Sequence, residues 1–208
     1  MLWEKGLLVR HTQVTLQESL YGLLIASAFA LVLGYLIARI RLFDYMLMPY
    51  LIFLQAIPII AIAPLLIIWV GPDAGSKVAI AAYITWFPLM ISTIVGIRNV
   101  SPNLRELMRA NVANPWQVFW YLEVPSALPE ILGGFKVAVT LAVIGAAVGE
   151  YVSSREGLGN LVLRGRGTHD SATLFAAIFL LTILSLSLYS TVALVEYVLL
   201  RWKRAGNS

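Results

Sequence analysis

The sequence predicts an all-α membrane protein with five transmembrane helices, and two observations lead to this fold class. Of the 208 residues, 60% are hydrophobic and only 12% are charged. A soluble domain has about 25% charged residues, so this chain lacks the charge to cover a surface in water. Five long stretches are almost free of charge, and each can cross a hydrocarbon core of about 30 Å as a helix. A helix also satisfies its own backbone hydrogen bonds in lipid.

Five predicted spans follow one another with short connections. They are residues 19–38, 45–72, 78–97, 131–149 and 171–195. Residues 1–15 mix apolar residues with cations, which predicts an interfacial segment lying on the membrane, with a frayed terminus as the alternative. We expect residues 16–200 to form one transmembrane domain and residues 201–208 to form a cytoplasmic tail. This orientation places more Lys and Arg inside, and the absence of a basic face argues against nucleic-acid binding.

The second predicted span is longer than the membrane requires and contains three prolines, Pro49, Pro58 and Pro64. Interior prolines kink helices, and such breaks persist in membranes where protein or a water-filled cavity covers the freed carbonyls. Two interpretations stay open. The span is either a kinked helix that lines a path with Gln55 facing it, or a tilted helix whose Gln55 bonds a neighbour.

The polar segment between the third and fourth spans predicts two short capped helices in residues 101–125. Ser101-Pro102 is typical of a helix start, since serine accepts orphan amides and proline lacks one. Asn114-Pro115 then begins a second helix, with Gln117 in the N3 position of a capping box. We expect Pro125 to end that helix.

This loop contains Trp116, Phe119 and Trp120. Aromatic side chains on an ordered loop are typical of a surface that docks into the groove of a partner. They are also found on interfacial hairpins, where they lie in the headgroup layer. The residue types alone leave both interpretations open.

The run from Glu106 to Phe119, closing at Val124-Pro125, resembles the EAA loop of ABC-importer permeases. The glutamate and the proline match the spacing of that motif. The sequence departs from it at Leu107 and Met108, in place of two alanines, and at Val112, in place of a glycine. The stretches 125–138, 143–150, 157–159 and 56–65 are similar to the nitrate, sulfonate and taurine branch of the same family, so the resemblance covers nearly the whole chain.

The resemblance implies a homodimeric permease with the type I ABC importer fold, working by alternating access in a bacterial or archaeal inner membrane. The implied partners are cytoplasmic ATPase subunits, which would bind ATP and Mg, an extracytoplasmic solute-binding protein and membrane lipid. The resemblance also places the two-helix loop in the cytoplasm as a coupling loop. The expected ATPase-coupling residues are Glu106, Arg109, Ala113, Asn114, Trp116 and Gln117.

The residue in the glycine position of the loop has a structural consequence. Glycine there could take a positive φ, whereas Val112 is strongly disfavoured in that region. We therefore predict that Asn114-Pro115 forms the joint between the two helices, without a left-handed residue at position 112.

Enzyme chemistry has little support in the sequence. The segment from Gly71 to Lys77 differs from a phosphate-binding loop in spacing and residue order. His11 and His169 lie in separate polar segments, and the chain contains no cysteine, so no metal site is expected. We expect no cofactor in this chain, and energy must come from partner subunits.

Polar and aromatic groups within the spans are the candidates for a translocation path, namely Gln55, Tyr83, Thr85, Trp86, Thr140 and Glu150. Aromatic walls with few hydrogen-bonding groups suit a planar, mostly neutral solute. Glu150 also lies close enough to the outer end of its span to bond loop amides or a hydroxyl on another helix. We expect Lys136 to extend its charge to the cytoplasmic interface.

Two glycine-containing segments complete the prediction. Gly145 and Gly149 form a G-x-x-x-G motif that allows close helix approach, within the chain or between two copies. The glycine-rich segment 151–170 predicts a short outer helix over residues 158–163. That segment either contacts the binding protein or forms a solvated turn.

The solute is suggested by the subgroup that the sequence resembles. The stretches 119–122 and 136–145 resemble permeases for thiamine-precursor pyrimidines and riboflavin, with sulfonate, taurine or nitrate permeases as the alternative. An alternative of a different class is an autonomous channel or secondary transporter. Such a transporter is typically built on inverted repeats, which the five spans do not display.

Overall fold

The computed structural model describes residues 5–201, which form nine α-helices and one π-helical turn. In chain order these are α1 Lys5–Arg39, α2 Arg41–Ala56, α3 Ile59–Val70, α4 Ala74–Arg98, α5 Pro102–Ala110, α6 Pro115–Val118, the π-helical turn Phe119–Glu123, α7 Val124–Ser153, α8 Leu158–Gly167 and α9 Ser171–Leu199. Four helices are long and apolar enough to cross a membrane, and α2 with α3 provides a fifth crossing if the bent pair is one span.

Helix α4 lies at the centre of the bundle and packs against α1 on one side and α7 on the other. The main core joins these helices through fully buried side chains, among them Ile37, Leu89, Met90 and Ala138. A second cluster joins α7, α8 and α9 around Leu158 and Leu161. The predicted spans 78–97, 131–149 and 171–195 lie within α4, α7 and α9.

The G-x-x-x-G motif of α7 faces α4 within the same chain. A methyl group added at Gly145 would lie 2.7 Å from the Cα atom of Ala81, and one at Gly149 would lie 3.1 Å from the Cα atom of Lys77. Real Cβ atoms do not approach as closely as the first distance and rarely approach as closely as the second, so the two glycines allow the backbones of α4 and α7 to meet. The close approach that the motif predicted is therefore made within the chain.

The first helix corrects the prediction for the N-terminal segment. Helix α1 runs without a break from Lys5 to Arg39, so the expected separation of residues 1–15 from the first span is wrong for the described residues. The polar groups that suggested an interfacial segment are satisfied by the protein. His11 bonds the backbone of Gly157, and the Thr15 hydroxyl bonds Glu150. Residues 1–4 lie outside the described residues.

The second predicted span is broken rather than gently kinked. Helices α2 and α3 meet at Ile57 and Pro58 and are bent by 96°. Pro58 precedes the first residue of α3, where its missing N–H costs no helical bond. Pro49 and Pro64 lie inside α2 and α3 without breaking them. The prolines thus identified the break, but only Pro58 makes it.

The helices after α7 follow the prediction with one extension. Helix α8 begins at Leu158 as expected but continues to Gly167, beyond the predicted end at residue 163. Asp170 caps α9 by accepting hydrogen bonds from the Thr173 hydroxyl and from the backbone of Ala172 and Thr173. The bonds from Thr173 are the main cause of a lowered pKa of the Asp170 carboxyl.

The bundle has two polar ends. We call the end that carries α5, α6 and Arg39 the loop end, and the end that carries α8 and the turn between α3 and α4 the α8 end. At the loop end, Arg98 pairs with Asp44 at 2.8 Å and joins α4 to α2. Of the expected tail 201–208, residues 202–208 lie outside the described residues.

Candidate functional site

The loop between α4 and α7 presents an exposed surface that combines apolar and charged side chains. Trp116 is 68% exposed and Val112 is 89% exposed. The expected coupling residues Glu106, Arg109, Asn114 and Gln117 are also exposed, and Ala113 is half-buried. Exposed large apolar side chains on an ordered loop indicate an interaction surface.

The end of α5 contradicts the prediction for its joint. Val112 has φ of +53°, in the left-handed region, so the prediction that residue 112 avoids this region is wrong. The amide of Ala113 donates to the carbonyl of Met108 at 3.0 Å, and that of Val112 donates to Arg109 at 2.9 Å. These two bonds form a Schellman motif with Val112 at the C′ position. They satisfy the last carbonyls of α5 and offset the strain at the valine.

The start of α6 agrees with the prediction. The amide of Gln117 donates to Oδ1 of Asn114 at 2.8 Å, and the amide of Asn114 donates to Oε1 of Gln117 at 2.8 Å. This is the predicted capping box, with Pro115 in the first helical turn. Pro102 likewise begins α5, but the side chain of Ser101 makes no capping bond there.

The second helix of the loop does not end at Pro125 as predicted. Helix α6 continues through the π-helical turn into α7, so residues 115–153 form one helical rod. In the turn, the amide of Val124 donates to the carbonyl of Phe119, five residues back. A π-helical turn is wider than an α-helical one, and this widening accommodates the proline. The loop is therefore continuous with a membrane helix.

Aromatic contacts anchor one side of the loop. Phe119 packs edge-on against Tyr35 of α1, with 5.0 Å between ring centroids, and edge-on against Trp120 at 5.0 Å. Trp116 stacks on Phe119 at 5.9 Å and keeps its outer face free. These residues line a groove of about 660 Å³ at the loop end. Phe119 thus anchors the aromatic cluster, while Trp116 presents it outward.

A buried carboxylate below the loop was missed by the sequence prediction. Glu123 is 0% exposed, and the hydroxyl of Tyr35 donates to its Oε2 at 3.0 Å. Guanidinium nitrogens of Arg39 and Arg105 each lie 3.3 Å from its Oε1. Glu123 is the one charged residue in the sequence between Arg109 and Glu130, and this isolation was the available signal.

Two of the expected path residues lie at or bond to the end of α2, close to the break between α2 and α3. The hydroxyl of Tyr83 donates to the carbonyl of Leu54, one residue before Gln55. Oε1 of Gln55 is buried and has no hydrogen-bond partner in the described part of the chain. The break frees carbonyls that a regular helix would use, and Tyr83 satisfies one of them. The interpretation in which Gln55 bonds a neighbouring group of the same chain is therefore not supported for its Oε1 atom.

The other expected path residues lie in different environments. Trp86 is 8% exposed and packs between Phe29 and Phe87, and Thr140 is half-buried with its hydroxyl bonded to Val137. Thr85 and Glu150 are 0% exposed. Neither of these two faces open space within a single chain, so the structure does not group all six residues around one cavity.

Glu150 instead organises the α8 end. Its Oε1 accepts a 2.6 Å hydrogen bond from the Thr15 hydroxyl, and its Oε2 accepts a 2.6 Å bond from the amide of Gly159. The prediction that Glu150 bonds a loop amide or a hydroxyl on another helix is confirmed. Gly157 has φ of +100° and would place any side chain against this carboxylate.

Lys136 forms an ion pair with a carboxylate of α9, and its extension to the cytoplasmic interface stays a prediction. Its Nζ lies 2.7 Å from Oε2 of Glu196 on α9, and both side chains are about one-fifth exposed. Between apolar membrane helices an unpaired charge is costly, so an ion pair of Lys136 with Glu196 is more favourable than either charge alone. Within residues 5–201, no three His, Asp or Glu side chains are grouped to hold a metal ion.

Comparison with known proteins is consistent with this architecture. The profile of a family described as "Binding-protein-dependent transport system inner membrane component" matches residues 30–202. A crystal structure of the methionine ABC transporter MetNI in an inward-facing conformation superposes with a TM-score of 0.82 at 19% identity, covering 95% of this chain and 98% of that chain.

Curated relatives are similar over almost the whole chain. The riboflavin transport system permease protein RibX of Chloroflexus aurantiacus is 43% identical over 95% of this chain and 74% of its own length. The formylaminopyrimidine transport permease protein ThiX of Halalkalibacterium halodurans is 34% identical over 96% of this chain and 80% of its own. The putative aliphatic sulfonates transport permease protein SsuC of Bacillus subtilis is 30% identical over 96% and 72%.

Proposed function

The chain belongs to the family of binding-protein-dependent transport system inner membrane components, and we propose that it imports riboflavin or a thiamine-precursor pyrimidine. It is the permease subunit of an ABC importer with the type I fold, and its helices cross the inner membrane several times. The proposal concerns its solute, its coupling surface and its assembly.

The identity to the riboflavin permease RibX, 43% over 198 residues, carries the proposal for the solute. The formylaminopyrimidine permease ThiX supports the same chemical class, since both named solutes contain flat heteroaromatic rings. Gln55, Tyr83, Trp86 and Thr140 are the residues that we propose for the path. Aromatic rings with few hydrogen-bonding groups favour such solutes over small anions. Aliphatic sulfonates are the second candidate, on the 30% identity to SsuC.

We propose that the loop end docks to a separate ATPase subunit, which binds ATP and Mg. The contact residues are Glu106, Arg109, Ala113, Asn114, Trp116 and Gln117. Exposed Trp116 supports this role, because an aromatic side chain on a capped, anchored loop is a preorganised contact for a protein groove. Glu106 and Arg109 place exposed charges of both signs beside it, which suits a protein partner better than a lipid headgroup layer.

The proposed assembly contains two copies of this chain, with the loop end and the C-terminus in the cytoplasm. Only 6% of the apolar window of α9 is buried within the chain, which leaves a face for lipid or for the second copy. The α8 end then faces outward, where an extracytoplasmic solute-binding protein delivers the solute. The exposed part of the glycine-rich segment 151–170, with Arg155 before α8 and Arg164 and Arg166 near its end, is the proposed contact for that protein.

Co-purification and uptake test the proposal. The tagged chain, expressed with its partner genes, is expected to retain an ATPase subunit and to accumulate radiolabelled riboflavin in proteoliposomes only when ATP is present. Trp116→Ala is expected to lower ATPase retention at least tenfold. Trp69→Ala is the matched control, since Trp69 is 71% exposed at the far end of α3.

Each alternative predicts a different result. Uptake that proceeds in the absence of ATP, by a chain that retains no ATPase subunit, would contradict the importer proposal and favour an autonomous channel or secondary transporter. Uptake of taurine or another sulfonate in place of riboflavin would overturn the solute proposal alone. Normal ATPase retention by Trp116→Ala would show that the loop lies on lipid.

A further inference from the structure

Helix α5 is joined to the membrane helices mainly through one side chain. No residue of α5 is buried, and the helix packs along no other element. Arg105 points back from α5 into the bundle. Its guanidinium donates to the carbonyl of Ile97 at 2.8 Å, at the end of α4, and lies 3.3 Å from Oε1 of Glu123.

Glu123 connects this arginine to two further helices. The carboxylate belongs to the π-helical turn that leads directly into α7, while Tyr35 and Arg39 approach it from α1. Neither guanidinium contact to Oε1 has hydrogen-bond geometry, so the attraction is electrostatic. A charge buried this completely depends on its cationic partners. The three elements α1, α5 and α7 therefore share one carboxylate.

The location of this carboxylate matters for motion. Because α6 and α7 form one rod, a movement of Trp116 reaches α7 through the backbone. Helix α5 follows α4 after residues 99–101 but has no direct backbone route to α1 or α7, since it ends in the exposed joint at Val112. The pair Arg105–Glu123 supplies that route.

We infer that Glu123 is a positioning residue that holds α5 to α1 and α7, so that displacement of the loop by the ATPase moves the membrane helices as one body. The inference rests on the proposed function of the loop. Neutralising Glu123 leaves the docking surface intact and leaves Arg105 bonded to the Ile97 carbonyl of α4, but removes the attraction that holds α5 to α1 and α7. The loop then moves without α1 and α7. ATP hydrolysis then continues while transport falls.

The first experiment measures the position of α5 without any partner. The chain has no cysteine, so spin labels can be attached at Asn103→Cys on α5 and Val32→Cys on α1 without further changes. Electron–electron distance measurements in lipid nanodiscs, with the labelled chain diluted in an excess of unlabelled chain so that distances between copies are not observed, are expected to give one narrow distribution. Glu123→Gln is expected to at least double its width, and Glu130→Gln, the same change further along α7, is expected to leave it unchanged. An unchanged width in Glu123→Gln overturns the inference.

The second experiment measures coupling in proteoliposomes that contain the ATPase subunits, with riboflavin as the probe. Glu123→Gln is expected to keep the ATPase bound and to retain at least half of its ATP hydrolysis. The riboflavin transported per ATP is expected to fall at least tenfold. A ratio within twofold of the unmodified protein overturns the inference while the proposed function stands. Failure of the unmodified protein to retain an ATPase overturns both.

A second variant keeps the inference testable if the Glu123→Gln chain does not fold. Arg105→Gln removes the same contact from an exposed helix and leaves Glu123 with Arg39. It is expected to reproduce the broad distance distribution and the loss of transport per ATP. The double variant with Arg105→Gln and Glu123→Gln is expected to transport less riboflavin per ATP than either single variant by no more than twofold, because both substitutions remove the same Arg105–Glu123 contact. Independent, multiplying losses would contradict a shared role.

Discussion

The Thr15 hydroxyl of α1 lies 2.6 Å from Oε1 of Glu150 on α7, and the same hydroxyl oxygen accepts the amide of Leu158 at 2.9 Å. One side chain thus satisfies the first amide of α8 and one oxygen of a buried carboxylate. The contact joins the two long helices to α8, although the three residues are far apart in the sequence. It predicts that the stability of the α8 end depends on a single hydroxyl.

Thr15→Val is expected to lower the free energy of unfolding by about 1–3 kcal/mol, because it leaves a buried donor and a buried acceptor unpartnered. Thermal unfolding in detergent, followed by tryptophan fluorescence, measures the change. Thr12→Val is the matched control, since the Thr12 hydroxyl bonds only Leu8 of its own helix. The control is expected to change stability by less than about 0.5 kcal/mol. Equal melting temperatures for the two variants would contradict the role of Thr15.

Val112→Gly is expected to stabilise the end of α5. A left-handed conformation costs an L-residue about 1–2 kcal/mol, whereas glycine adds only about 0.5–1 kcal/mol of unfolded-state entropy. Hydrogen exchange of the loop should therefore slow about two- to fivefold, reported by the amide of Ala113, which bonds the carbonyl of Met108. Val137→Gly, a similar change at an exposed helical position of α7, is expected to accelerate local exchange. Faster exchange in Val112→Gly would contradict the strain.

Local signals predicted some parts of the loop and not others. Asn114 and Gln117 are three residues apart, so their capping box depends on a few neighbouring dihedral angles and could be read from the sequence. Val112 was mispredicted because its intrinsic preference was weighed without the two backbone bonds that end α5. Pro125 was mispredicted because the π-helical turn before it could not be foreseen from residue types.

Contacts between segments that are far apart in the sequence could not be predicted from the sequence in detail. The sequence placed Glu150 near a span end with the correct kind of partner, but which hydroxyl bonds it depends on how α1 and α7 pack. Glu123 was missed because Arg39 and Arg105 approach it from two other helices. The break at Pro58 was expected as a kink, but neither its 96° angle nor the bond from Tyr83 of α4 to the Leu54 carbonyl could be predicted from the prolines. The capping box at Asn114 and Gln117 was therefore predictable from neighbouring residues, whereas the partners of Glu123 and Glu150 on other helices were not.

Lys136 and Glu196 are expected to be energetically coupled. Replacing one partner, in Lys136→Met or Glu196→Gln, leaves a partly buried charge and is expected to cost about 1–3 kcal/mol. The double variant should lose about 1–2 kcal/mol less than the sum of the two. The pair Arg10–Glu156 is the control, since its side chains are 67% and 40% exposed and its coupling should stay below about 1 kcal/mol. Additive losses at Lys136 and Glu196 would show that the ion pair contributes nothing.

Two glycines of α7 are expected to respond to alanine with opposite signs. A methyl group at Gly145 would lie 2.7 Å from the Cα atom of Ala81 and 2.8 Å from Cγ2 of Ile84, so α4 and α7 must separate. Gly145→Ala should therefore cost about 1–3 kcal/mol. At Gly133 nothing lies within 4 Å, and alanine should add up to about 1 kcal/mol of helix stability. Thermal unfolding of the two variants measures both signs at once. A stable Gly145→Ala chain would mean that α4 and α7 are not in backbone contact, because the added methyl group has no other space to occupy.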